Sequence, residues 1–104
     1  MNQTAATIFH QLGANKFRAM TGARNFTHGA PETPYLAFAF PRAKGPKGSV
    51  NRCCIRYEAG LDLYTMEFSY FHGSKFTMKA TVEQVYADQL QAIFTEQTGL
   101  YTSL

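Results

Sequence analysis

The side chains of this chain that could do chemistry are mostly cations. Arg42, Lys44 and Lys47 fall in one Gly/Pro-rich stretch, 41–49, and Arg52 follows it closely. Arg56, Lys75 and Lys79 alternate with other residues on strand-like segments, so they can extend the same charge over one face of a sheet. Clustered Arg and Lys beside a sheet make contacts to phosphates. Tyr35 and Phe71 are placed to face outward beside them as stacking groups. Arg42, Lys44, Lys47, Arg52 and Arg56 are therefore the candidate partner-binding residues.

Groups suited to catalysis are scattered. His10, His28 and His72 stand apart from one another and from carboxylates at ligand spacing. Glu58, Asp62 and Glu67 lie on or near one hairpin, where paired carboxylates can do acid–base work. Glu67 is better suited to a cross-strand pair with Arg52, Arg56 or a lysine. The run from Thr21 to Asn25 superficially resembles a phosphate-binding loop, but it lacks the lysine and the following helix. Cys53 and Cys54 are adjacent, so on a strand they point to opposite faces and are badly placed to bond to each other. That usage suits a reducing cytoplasm. No catalytic residue, metal ligand or cofactor is expected from these patterns.

Composition sets wider bounds. With 104 residues, 45% hydrophobic and 14% aromatic, the chain is one globular domain able to fold without staples. Ten Lys or Arg against seven Asp or Glu give a net charge of +3, which excludes an acidic mimic of DNA. The first residues read neither as a signal peptide nor as a membrane segment.

The elements that position these residues follow from hydrophobic periodicity. A short N-terminal helix begins at a Thr4 cap, carries Ala5, Ile8, Phe9 and Leu12 on one face, and stops at Gly13. Phe17, Ala19 and Thr21 alternate with Lys16, Arg18 and Met20, which predicts a first strand over 15–21. A long loop follows over 22–34. A second strand, 35–40, points Leu36, Phe38 and Phe40 inward and ends at Pro41; the stretch 41–49 is too rich in Gly and Pro for regular structure. Strand 50–57 turns Cys53, Ile55 and Tyr57 inward and Arg52, Cys54 and Arg56 outward. Strand 63–71 carries Tyr64, Met66, Phe68 and Tyr70 inward, and a turn at 72–74 leads to a fifth strand with Phe76 and Met78 inside and Lys75, Thr77 and Lys79 outside. Thr81 with Gln84 reads as a capping box, opening a helix striped by Val82, Val85, Tyr86, Leu90, Ile93 and Phe94 and closed by Gly99. Short turns force an antiparallel meander. The expected fold is thus α+β: four to five antiparallel strands covered on one face by a C-terminal helix and a short N-terminal helix, a two-layer sandwich.

Three segments carry a resemblance: the run from Asn15 to Phe26, the run from Asp62 to Phe68, and above all Tyr86 to Leu90, Phe94 to Glu96 and Thr98 to Leu104. Here the chain resembles a family of small, mostly uncharacterised proteins encoded by bacteriophages and mobile elements; the loops at 27–34 and 41–49 diverge. The resemblance implies residence in the cytoplasm of a bacterial host and supplies no catalytic residues. By analogy with small phage proteins of this size, it implies a non-catalytic binder of a host protein or nucleoprotein complex, of the anti-restriction or anti-CRISPR kind. The alternatives are direct nucleic-acid binding through the basic loop and sheet face, and self-association of the chain into a homodimer.

Overall fold

The computed structural model describes residues 2–103. The elements run in the order α1 (Gln3–Leu12), α2 (Ala14–Thr21), β1 (Arg24–His28), β2 (Tyr35–Gly45), β3 (Gly48–Glu58), β4 (Leu63–His72), β5 (Lys75–Val85), a 3-10 turn (Ala87–Gln89) and α3 (Leu90–Thr98). The five strands form one antiparallel sheet whose spatial order is the chain order. The helices cover one face of it, so the α+β two-layer architecture is the one expected. Among the described residues, no helix is long and apolar enough to cross a membrane.

One hydrophobic core joins the layers. Ala5, Ile8 and Leu12 of α1, Phe17 of α2, and Leu90 and Phe94 of α3 are buried against Leu36, Phe38, Phe40, Cys53, Ile55, Tyr64, Met66 and Phe68 of the sheet. Its centre is aromatic. The Phe94 ring lies 5.1 Å from Phe17, 5.3 Å from Phe40, 6.0 Å from Phe38 and 6.2 Å from Phe68. Burial of this apolar face is the main stabilising term for such short helices.

Several local expectations are overturned. Residues 15–21 are helical: Phe17 and Thr21 are buried while Ala19 is exposed. The spacing i, i+4 satisfies both periods, and the exposure of Ala19 shows that the helix is the one adopted. The cap of α1 is Asn2, whose Oδ1 accepts from the Ala5 N–H at 2.8 Å, and not Thr4. The stretch 22–34 is not all loop, because it contains β1.

Pro41 does not end β2. It lies where β2 carries two extra residues between the Ala39–Arg52 and Ala43–Val50 pairs, an irregularity that accommodates a residue without an N–H. The hairpin closes through Pro46 and Lys47, flanked by the Gly45–Gly48 pair, with Gly48 at φ +101°. Its end bends onto the C-terminus of α3. A Cβ at Gly45 would overlap the Gln97 carbonyl, so only glycine permits that approach.

The segment 81–85 belongs to β5 rather than to a helix, and Thr81 and Gln84 form no capping box. Tyr64 pairs with Val85 and Met66 with Val82, so β5 spends one more residue than β4 over that interval, with Gln84 at φ +56°. The bulge turns Val82 and Val85 to the same side, which imitates helical spacing. The final helix starts at Leu90, after Gln89 accepts from the Tyr86 N–H at 2.9 Å, and Gly99 ends it in the left-handed region as expected.

Candidate functional site: the open face of the sheet

The face of the sheet opposite the helices has no covering layer among the described residues. Strand register defines its membership. Tyr35 lies opposite Arg56, Ala37 opposite Cys54 and Ala39 opposite Arg52; on the next pair, Arg52 faces Ser69 and Cys54 faces Glu67. Thr27 of β1 lies opposite Ala37, and Phe76 of β5 lies opposite Phe71. Arg52, Cys54 and Arg56 therefore point outward, and Tyr35 and Phe71 share their face, as the alternation predicted.

Phe76 and Met78 are corrected. They do not continue the inner face: Phe76 is 56% and Met78 47% exposed, on the open side with Phe71 at 40%. The reason is the turn. Gly73 and Ser74 alone connect the strands, so His72 pairs with Lys75 and Phe71 with Phe76, on one side of the sheet. Given Phe71 outside, a two-residue turn already requires Phe76 outside, so that signal was present in the sequence. Lys79 does not extend the sheet face either. It is the extra residue of a second β5 bulge, and its Nζ lies 3.5 Å from where a Gly48 Cβ would be, beside the tip of the β2–β3 hairpin.

The open face is concave. Both edge strands carry extra residues, one in β1 near Asn25 (φ +58°) and two in β5. Bulges increase local twist and blunt an edge against pairing with other chains. The result is a trough of about 510 Å³ lined from both edges, by Asn25 and Thr27 on one side and Phe76 and Met78 on the other. Ala37 and Cys54 line it between the edges, with Arg52, Arg56, Glu67 and Ser69.

The charges within it are organised. Arg56 Nε donates to Glu67 Oε1 at 2.9 Å, the one ion pair among the described residues, and its guanidinium lies 5.8 Å from the Tyr35 ring centre. Arg52 lies over the Phe71 ring at 4.9 Å. Burial pushes the Cys54 thiol above its ordinary pKa, offset in part by the Arg56 charge; the fully buried Cys53 thiol is raised much further, chiefly by burial.

The five predicted contact residues thus separate into two groups. Arg52 and Arg56 line the trough. Arg42, Lys44 and Lys47 are exposed on the hairpin end and do not line it; Arg42 Nε donates to Ser49 Oγ at 3.0 Å. The histidines stay apart from the trough: His10 is on the surface of α1, His28 accompanies Asn2 at 3.4 Å, and His72 stacks on Tyr70 at 5.8 Å. Among the described residues, no three His, Cys, Asp or Glu side chains come together as a metal site would require.

Fold and face together define an α+β chain with an uncovered, curved antiparallel sheet carrying arginines and exposed apolar side chains. No protein-family model matches the chain, and neither does any curated protein or solved structure.

Proposed function

We propose that this chain acts without catalysis, as a binding protein that docks a partner protein on the open face of its sheet. The observation that carries the reading is the contiguity of exposed Phe71, Phe76 and Met78 with the ring-stacked Arg52. Aromatic residues, Met and Arg are the types enriched at the centres of protein interfaces, and desolvated aromatic and Arg anchors supply most of their binding energy. Arg42, Lys44 and Lys47 stand on the hairpin as steering charges, which act on association rate more than on lifetime. The resemblance to phage and mobile-element proteins supplies the setting: a host protein or nucleoprotein complex of a defence system, bound in the host cytoplasm and blocked by steric occlusion.

The test is a tagged capture from bacterial lysate, with and without nuclease, run beside Met78→Glu and the triple Arg42→Glu, Lys44→Glu, Lys47→Glu variant. A discrete protein is expected to survive nuclease, to be lost with Met78→Glu and to be lost or bound more slowly with the triple variant, while both variants keep the wild-type melting temperature. Capture unaffected by Met78→Glu refutes the face assigned.

Direct nucleic-acid binding is the second reading, favoured by the three exposed hairpin cations. It requires capture that nuclease abolishes and affinity that falls steeply with salt. Glu67 in the middle of the trough weighs against a phosphate backbone lying across it.

A further inference from the structure

Resting on that docking reading, we propose that the partner enters the trough with one large apolar side chain next to a carboxylate, the apolar group seated between the two edge strands and the carboxylate on Arg52. Side-chain length adds to the curvature that makes the trough. Ala37, Cys54 and Ser69 are short, whereas Arg52, Arg56, Phe76 and Met78 around them are long. A depression of about 510 Å³ lies in the range of roughly 300–1,000 Å³ that receives ligands, and its mixture of apolar lining and a few polar groups is that of such sites.

The charge within it selects the occupant. Two guanidiniums face one carboxylate, and Glu67 already belongs to Arg56. Arg52 keeps its planar set of N–H donors unbonded to any protein acceptor among the described residues, while the Phe71 ring supports its face. An oriented guanidinium with free donors is a receptor for a planar two-oxygen anion. One free positive charge matches a single carboxylate, and Glu67 opposes a more highly charged group. The apolar rim of Phe76 and Met78 requires that this anion carry an apolar neighbour. The bulges on β1 and β5 make both edges poor templates for an added strand, so recognition falls to side chains rather than to backbone pairing.

The experiment uses the full chain with 13C-labelled methionine methyls and three blocked dipeptides: N-acetyl-Phe-Glu-amide, N-acetyl-Phe-Gln-amide and N-acetyl-Ala-Glu-amide. The Phe-Glu peptide is expected to shift the Met78 methyl, to leave the buried Met66 methyl in place and to slow alkylation of Cys54 by N-ethylmaleimide. The other two peptides are expected to bind at least fivefold more weakly. Arg52→Gln, checked for an unchanged melting temperature, is expected to bind the Phe-Glu peptide no better than wild type binds Phe-Gln. Equal binding of Phe-Glu and Phe-Gln overturns the proposal, as does an unchanged affinity in Arg52→Gln. A Met78 shift caused by oligothymidylate and by none of the peptides also overturns it, in favour of nucleic acid. Silent peptides with partner capture still lost in Met78→Glu overturn this inference alone and leave the docking face standing; silent peptides with capture insensitive to Met78→Glu overturn both.

Discussion

Phe94 ties α3 to the sheet, and its removal shows how much of the fold depends on one ring. The side chain is fully buried and its ring centre lies within 6.2 Å of four other phenylalanines, two of them, Phe17 and Phe40, in edge-to-face geometry. Phe→Ala in a core costs about 3–5 kcal/mol, and edge-to-face pairs add about 0.5–1.5 kcal/mol each beyond the area they bury, so Phe94→Ala belongs at the upper end of that range. A domain of this length has a total stability of about 5–15 kcal/mol. With a urea slope of about 1–1.5 kcal/mol/M, the midpoint falls by roughly 3–5 M. The assay is equilibrium urea unfolding followed by far-UV circular dichroism. Phe94→Leu keeps most of the volume and costs about 1–2 kcal/mol, so it remains measurable if the alanine variant fails to fold. A double-mutant cycle of Phe94→Leu with Phe17→Leu isolates their contact, with an expected coupling of about 0.5–1.5 kcal/mol. A loss below about 1.5 kcal/mol in Phe94→Ala, less than any core Phe→Ala should show, refutes the argument, as does additivity in the cycle.

Three other outcomes follow from the backbone and the thiols. Gly45→Ala drives a methyl into the Gln97 carbonyl and destabilises by about 1–3 kcal/mol, seen as a drop of roughly 4–8 °C in melting temperature per kcal/mol; an unchanged melting temperature means that the hairpin does not rest on α3. Ala14 sits at φ +54°, where a side chain is strained by about 1–2 kcal/mol, so Ala14→Gly raises the melting temperature by a few degrees despite the entropy glycine adds to the unfolded chain, and a fall contradicts that backbone. Burial holds the Cys53 proton in the folded state after the unfolded chain releases it, so stability is retained below about pH 8.5 and declines above it, by at most about 1.4 kcal/mol per pH unit for this group; Cys53→Ala flattens the slope of urea midpoint against pH, and an unaltered slope removes Cys53 as its source.

The sheet was legible wherever one residue type alternated cleanly. Tyr64, Met66 and Phe68 on β4, and Cys53 and Ile55 on β3, set their own faces and those of Arg52, Cys54 and Arg56. It was illegible where periods coincide or are interrupted. Phe17 and Thr21 satisfy strand and helix alike. The bulge at Gln84 brings Val82 and Val85 to one side at a spacing that belongs to helices. β1, with the sequence Arg-Asn-Phe-Thr-His, has a single half-buried apolar side chain, and it is a strand because β2 offers it an edge. The arginines of the candidate site could be read in advance. The trough could not, since its depth depends on curvature produced by bulges that no local pattern announces.

The bulge at Gln84 also bears on how this chain tolerates a change in length. A strand in a regular ladder cannot lose a residue, because every side chain beyond the gap would turn to the opposite face. β5 is different at this point. Deleting Gln84 leaves Val82 opposite Met66 and brings Val85 opposite Tyr64 by ordinary alternation, with both valines still facing the core. The extra twist at that end of β5, beside Glu58, Leu63 and Thr65, is removed, while the hydrophobic layer keeps its inventory. A one-codon deletion here spares the interior, so at this point the chain can change length by a single residue without changing which side chains the core receives.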